Sequence, residues 1–99
     1  MIMPPATRLG DSCTGHSPWF PSRPSVEGSP NVFVNSIPWH RQGDGWAVHC
    51  CPDNGCHASV LAAGSPTVYV NRKQAGRIGD PVACGSSVAT GSSNVFAGP

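Results

Sequence analysis

Two short sequence elements each occur three times in this chain, and this repetition constrains the fold more than any other feature. The first element is GSPNVFVN at residues 28–35, GSPTVYVN at 64–71 and, less closely, GSSNVFAG at 91–98. The second element is RLGD at 8–11, RQGD at 41–44 and RIGD at 77–80. Because self-similarity of this kind indicates a repeat architecture, we interpret each copy as part of one supersecondary unit.

The distance between the two elements is repeated as well. The Arg of the second element follows the first Gly by 13 positions in both complete copies, from Gly28 to Arg41 and from Gly64 to Arg77. The third copy of the first element begins at Gly91, so that its partner would fall beyond the chain, whereas the copy at 8–11 stands alone at the other end. We therefore expect a closed ring of three units with adjacent termini, with residues 1–99 as a single domain without an extension or effector domain.

Each copy of the first element is typical of a turn followed by a short strand, because β-branched and aromatic residues follow Gly, Ser and Pro. The chain has 12 glycines and 11 prolines in 99 residues, which leaves little room for long helices. In the second element the Gly permits a positive φ, and the Asp can bond the turn backbone. The sequence thus predicts an all-β fold of three β-hairpin-like repeats with pseudo-threefold symmetry.

Charge and hydropathy exclude several classes of function. The net charge is +1 and only 11% of the residues are charged, which argues against a nucleic-acid-binding surface. No apolar run approaches the ~20 residues that a membrane helix needs. Residues 1–5 show no basic region before an apolar stretch, so we predict synthesis in the cytoplasm without a signal peptide.

The cysteines and histidines predict a metal site rather than a disulfide framework, because the five cysteines are odd in number and are interleaved with histidines. A metal-binding side chain stands four or five positions after the Asp of each Arg-x-Gly-Asp copy: His16, His49 and Cys84. Equivalent positions in three units converge on the pseudo-threefold axis, so these side chains would supply three ligands of a tetrahedron. A chain this small has a thin apolar core, and a bound metal ion would stabilise the fold.

The fourth ligand is expected from the extra segment at residues 50–57 of the second unit. His57 is our choice, because three nitrogens and one thiolate suit zinc, although Cys56 or Cys50 could replace it. Iron fits a closed tetrahedron with a thiolate less well. Since a catalytic metal keeps an open position beside a general acid or base, and three of the five acids belong to turns, we expect one structural zinc ion and no enzyme activity.

The remaining aromatic, histidine and cysteine positions allow several interpretations. Equivalent positions of the three strands hold Phe33, Tyr69 and Phe96, which either cover the core from outside or form an apolar face that docks a threefold partner. His40 has no symmetric counterpart and is predicted at the surface. Local packing is predicted for Trp19, Trp39 and Trp46, and packing or a free thiol for Cys13, Cys50 and Cys51.

These features resemble the proline-alanine-alanine-arginine repeat (PAAR) family. A degenerate form of the family motif precedes each Gly-Asp pair: PATR at 5–8, PWHR at 38–41 and QAGR at 74–77. The resemblance implies a small, sharp cone that caps a trimeric β-helical spike, one copy per trimer, in type VI secretion systems and at the baseplate of contractile phage tails. Members of the family hold zinc near the tip through three histidines and one cysteine, in agreement with His16, His49, His57 and Cys84.

The resemblance also implies a mechanical function, in which a contracting sheath drives the spike and the rigid point makes transient contact with the target membrane as it punctures it. The protein would then lie at the tip of a phage tail or be secreted on the type VI spike, with an effector as a further partner and no nucleic acid. Three alternatives stay open: a free-standing zinc-binding interaction module, an adaptor that carries a separate effector, and a small metallohydrolase.

Overall fold

The computed structural model describes residues 3–51 and 55–98, which form six short strands. They are β1 (Phe33–Val34), β2 (Ile37–Pro38), β3 (Gly45–Cys51), β4 (Gly55–Val60), β5 (Tyr69–Val70) and β6 (Lys73–Gln74). The strands pair antiparallel in sequence order, β1 with β2, β3 with β4 and β5 with β6. Within the described ranges there is no helix, and hence none long and apolar enough to cross a membrane. The all-β prediction is confirmed.

The hairpins β1–β2 and β5–β6 are copies of one another, down to the turn. Asn35 and Ser36 have φ of 55° and 66°, and Asn71 and Arg72 have φ of 53° and 67°. A positive φ at both central residues defines the type I′ turn, whose twist matches that of the flanking strands. The third copy draws on two distant parts of the chain, because Ala6 N–H donates to the Val95 carbonyl at 2.9 Å and Ala97 N–H to the Pro4 carbonyl at 3.0 Å.

A closed cycle of three backbone hydrogen bonds joins the units at their centre. Thr7 N–H donates to the Gly76 carbonyl at 3.0 Å, Gly76 N–H to the His40 carbonyl at 2.9 Å, and His40 N–H to the Thr7 carbonyl at 3.1 Å. Glycine is required at 76, because a Cβ there would lie 2.7 Å from the His40 carbonyl oxygen. This cycle confirms the predicted pseudo-threefold symmetry.

His40 is fully buried, and its prediction as a surface residue is wrong. It occupies the axial position that Thr7 and Gly76 fill in the other units, so its side chain has to enter the interior. The sequence places all three directly before the Arg of the second element, but nothing in the sequence shows that this position lies on the axis.

Each Arg-x-Gly-Asp turn is closed by an ion pair between its first and last residues. Arg41 Nε donates to Asp44 Oδ2 at 2.8 Å and Arg41 Nη2 to Asp44 Oδ1 at 2.9 Å, and the same bidentate pairing joins the Arg and Asp of the other two turns. Burial raises the pKa of Asp44, but its hydrogen bonds from Arg41 outweigh this and leave the pKa below its ordinary value. Arg41 Nη1 also donates to Asn71 Oδ1 at 3.0 Å, so the pair ties its own turn to the next hairpin.

The apolar core lies among the segments that follow these turns. Its buried members are Cys13, Trp46, Leu61, Val82 and Val88, with Ile78 and Cys84 packed against them. The packing prediction holds for Cys13 and Trp46, but it is wrong for Trp19, whose surface is 74% exposed. The core therefore supports the positions that carry the predicted metal ligands.

The hairpin β3–β4 is the longest in the described chain and contains most of the extra segment of the second unit. Its register pairs His49 with His57 and Cys50 with Cys56, and it shifts between Trp46 and His49. Cys50 and Cys56 form a disulfide, so the prediction of a thiol at Cys50 is wrong. An odd number of cysteines excludes only an arrangement in which every cysteine forms a disulfide. It is compatible with a single disulfide across a hairpin. Residues 52–54 of the segment lie outside the described residues.

Candidate metal centre

The structure brings the four residues predicted as metal ligands into one cluster. His16, His49, His57 and Cys84 each offer one donor atom, and all four atoms lie within 4.8 Å of one another. His49 and His57 face each other across β3 and β4, whereas His16 and Cys84 come from the corresponding segments of the other two units. We call these four residues the His3Cys cluster.

The distances between the donor atoms are close to the edges of a tetrahedron around one ion. The Nε2 atom of His16 lies 3.2 Å from that of His49 and 3.0 Å from that of His57, and the last two lie 2.6 Å apart. Cys84 Sγ lies 4.0 Å from His49 Nε2. In a tetrahedral zinc site the nitrogens are about 3.3 Å apart and sulfur is about 3.6 Å from nitrogen. The nitrogen separations differ from this value by less than 1 Å, and the sulfur, which lies within 4.8 Å of all three nitrogens, would have to approach them.

The protonation of the imidazoles also favours a cation at the centre of the cluster. His16 Nδ1 lies 2.8 Å from the Ser17 carbonyl, and His49 Nδ1 lies 2.9 Å from the Pro21 carbonyl. A carbonyl only accepts, so each Nδ1 carries a proton, and in the neutral form of the ring the Nε2 atom presents a lone pair to the cluster. Lone pairs converging at this distance repel one another unless a positive charge lies between them. Backbone carbonyls that orient ligating histidines in this way are a general feature of metal sites.

Phe20 forms an apolar wall of the cluster and was not predicted from the sequence. Its ring centroid lies 4.6 Å from that of His16, 4.9 Å from that of His49 and 4.4 Å from that of His57. Reciprocal backbone hydrogen bonds between Phe20 and His16, at 2.9 and 3.0 Å, fold the loop so that the ring faces the ligands. The only sequence signal was an aromatic residue four positions after a candidate ligand.

Partial burial lowers the pKa of His57, and the neighbouring His49 and His16 lower it further, which favours the neutral, metal-binding form.

The disulfide removes two of the three candidates for the fourth ligand. Cys50 and Cys56 were the alternatives to His57, and the bond between them leaves neither sulfur as a thiolate. The described residues thus offer three imidazoles and the thiol of Cys84, a set that can hold a metal ion. Cys84 is fixed from the backbone, since its N–H donates to Ser59 Oγ at 2.9 Å.

The three aromatic residues predicted as a docking face are all well exposed. Phe33, Tyr69 and Phe96 expose 55%, 57% and 48% of their surface. In contrast, the next residue of each strand copy, Val34, Val70 and Ala97, is buried. The alternation places one equivalent aromatic per unit on the outside of the molecule.

Comparison with known families agrees with this architecture. The family model for the PAAR motif matches residues 14–90. The chain belongs to the PAAR motif family. The resemblance inferred from the degenerate motif is thereby confirmed, and the His3Cys cluster lies within the matched region of this PAAR protein.

Two curated relatives of this PAAR protein are bacterial toxins. It is 38% identical over 78 residues to the NAD(P)(+) glycohydrolase toxin Tse6 of Pseudomonas aeruginosa strain PAO1. The same identity and length relate it to the (p)ppApp synthetase toxin Tas1 of Pseudomonas aeruginosa strain UCBPP-PA14. Each match covers 74% of this chain but only 18% of the toxin. Because two toxins with different named activities match equally well, the matched region indicates neither activity.

Proposed function

We propose that this PAAR protein is a structural tip that caps a trimeric β-helical spike of a contractile injection apparatus, in a type VI secretion system or a phage tail. In this proposal residues 1–99 act as one PAAR domain. The observation that carries the proposal is the pseudo-threefold symmetry of a single chain. The end of a trimer presents three equivalent sites, and one chain with three equivalent units can contact all of them.

The exposed aromatics are the proposed docking groups for the spike. Aromatic residues are enriched at protein interfaces, and Phe33, Tyr69 and Phe96 stand at equivalent positions of the three units. Amide side chains fix the units relative to one another: Asn71 Nδ2 donates to Asn31 Oδ1 and Asn35 Nδ2 to Asn94 Oδ1, each at 2.8 Å. A rigid arrangement of this kind lowers the entropic cost of binding.

The proposed ion in the His3Cys cluster is one structural zinc, held by His16, His49, His57 and Cys84. Four protein donors complete a tetrahedron and leave no open position for substrate, which supports a structural rather than a catalytic site. When bound, the ion would link all three units, and its binding free energy would add to the free energy of folding. A stiff tip would then transmit force to a small area of the target membrane, with which it makes transient contact.

The relation to two toxins supports an effector as a further partner. Since the matched region is a small part of each toxin, this chain would either carry an effector or act as an adaptor for one encoded separately. The alternative is a free-standing zinc-binding interaction module, which predicts no affinity for a spike trimer.

Native mass spectrometry of the chain mixed with the spike trimer of its own apparatus tests the proposal. We expect one copy per trimer and a mass excess of one zinc. Phe33→Ala combined with Tyr69→Ala should weaken the complex at least tenfold, because two of three aromatic contacts are lost. Trp19→Ala is the matched control, since Trp19 is an exposed aromatic outside the threefold set, and it should bind normally. A zinc-loaded chain that does not bind the trimer would favour the free-standing module.

A further inference from the structure

The disulfide Cys50–Cys56 lies directly beside two members of the His3Cys cluster. The pair His49 and His57 and the pair Cys50 and Cys56 are consecutive cross-strand pairs of β3–β4. Successive residues of a strand point to opposite faces, so the disulfide lies on the face turned away from the cluster. His49 is 5% exposed, whereas both cysteines of the bridge are exposed to solvent.

Besides the bridge, the outer part of this hairpin is held mainly on β3, by the buried Cys51 and by His49 Nδ1 at 2.9 Å from the Pro21 carbonyl, whereas His57 of β4 packs against Phe20. The register shift between Trp46 and His49 separates it from the inner part, which is anchored by the Ser25–Trp46 bridge and by Ala83 N–H donating to the Val60 carbonyl at 2.9 Å. A two-stranded hairpin is at best marginally stable on its own. A slip of one residue would turn His57 to the opposite face and remove it from the cluster.

We propose that Cys50–Cys56 is a site of thiol–disulfide exchange whose redox state sets the metal affinity of the His3Cys cluster. The oxidised hairpin holds His49 and His57 in the register that binds the ion, and the reduced hairpin holds them less firmly. The reacting partner is a dithiol or its disulfide, either a small molecule or a protein. The inference rests on the metal centre of the proposed function, but not on the spike.

The exchange is a two-electron step. A thiolate of the dithiol attacks one sulfur of the bridge, forms a mixed disulfide and releases the other cysteine as a thiolate. The second thiol of the reagent, as its thiolate, then displaces the first cysteine, which leaves two cysteine thiols and an oxidised, disulfide-bonded reagent. Two electrons and two protons pass to the protein, and oxidation reverses the step. The bridge is exposed and therefore accessible to a dithiol. The thiol of Cys13, in contrast, is buried in the core.

The test is a zinc titration of the 99-residue chain against a chromophoric chelator, before and after reduction with a phosphine that cleaves disulfides. A disulfide that closes a loop of this size lowers the conformational entropy of the open hairpin. We expect this to change the affinity for zinc by on the order of tenfold or more. We expect the oxidised chain to bind one zinc tightly and the reduced chain to bind it at least tenfold more weakly. Cys50→Ser combined with Cys56→Ser should match the reduced chain and show no response to the phosphine.

Each contrary outcome has a separate meaning. Equal affinity of the oxidised and reduced chains would overturn the redox inference and leave the metal centre intact. Tighter binding after reduction, or a second zinc, would overturn it as well, because the released thiols would then be ligands. Absence of zinc binding in both states would overturn the metal centre itself, and with it this inference. The reduction experiment needs no substitution, so it decides the question even if the double variant does not fold.

Discussion

His40 is a buried neutral imidazole at the centre of the molecule. Its Nδ1 lies 2.8 Å from the Glu27 carbonyl, so Nδ1 carries the proton, and its ring packs edge-on against Trp46 at 4.8 Å between centroids. Burial lowers the pKa of His40 below 6.5, and this outweighs the hydrogen bond to Glu27 and the charge of Asp44, which act in the opposite direction. The charged form is therefore disfavoured in the folded state.

This pKa predicts a loss of stability in mild acid. Above about pH 6.5 His40 is neutral in both the folded and the unfolded chain. As the pH falls from there through the lower folded-state pKa, the unfolded chain takes up the proton first, so the free energy of unfolding decreases. His40→Gln cannot titrate, and with excess zinc in both samples its melting temperature should fall less steeply between pH 7.5 and 5.5. Equal slopes for the two proteins would contradict the assignment.

The placement of side chains was predictable where the symmetry of the sequence identifies a position. His16, His49 and Cys84 stand at corresponding places after three turns, and the structure brings them together. The burial of His40 was not predictable, because only the backbone hydrogen-bond cycle shows that its position is axial. The pairing of Cys50 with Cys56 depends on the register of β3–β4, which the flanking repeats do not determine.

At the scale of elements, the three Arg-x-Gly-Asp turns depend on a backbone conformation that other residues rarely adopt. Gly10, Gly43 and Gly79 have φ of 89°, 87° and 90°, and a Cβ at any of them would meet no atom within 4 Å. The requirement for glycine here is therefore conformational and not steric. The repeated Gly in the sequence permits a positive φ, and the structure shows this conformation in all three turns.

Gly79→Ala should consequently destabilise the protein by about 1–2 kcal/mol through backbone strain, without any packing defect. Urea denaturation followed by tryptophan fluorescence measures the effect. Gly98→Ala is the matched control, since its Cβ would meet only Thr67 Oγ1 at 3.4 Å and its φ lies outside the positive range. If Gly98→Ala lowered the free energy of unfolding as much as Gly79→Ala, this would argue against conformational strain as the cause.

The short hairpins were predictable as elements, but the longest one was not. β1–β2 and β5–β6 come from the repeated copies, whose alternation of β-branched and aromatic residues indicates strands. The end of β3 and the beginning of β4 belong to the segment that occurs in one unit alone, where there is no second copy with which to compare the pattern. The sequence identified it as a source of a ligand without revealing that it is a hairpin.

At the scale of the whole molecule, the His3Cys cluster connects all three units and the apolar core is small. Removal of zinc should therefore lower the stability of the entire fold. With zinc a thousandfold above its Kd, the expected loss on chelation is about 4 kcal/mol. Calorimetry with and without a chelator measures this loss.

Substitution of a ligand should lower metal content and stability together. His49→Ala and Cys84→Ser are expected to lose most of the bound zinc and to melt at lower temperature. Cys13→Ser is the matched control, because Cys13 is a buried cysteine of the core outside the cluster, and it should retain one ion per chain even though its packing is altered. Unchanged melting of both ligand variants would contradict the assignment of the cluster.

The hydrogen bonds between residues 4–6 and 95–97 join the beginning and the end of the described chain, with a consequence for synthesis. The third hairpin cannot form until residue 97 has left the ribosome, and forming it requires closure of a loop that includes most of the domain. Open solenoids can add one repeat after another as the chain emerges, whereas here the unit that contains residues 4–6 and 95–97 is completed last. Native folding of this domain therefore waits for residues 95–97 and has a high contact order, and it is expected to be slow for a domain of this length.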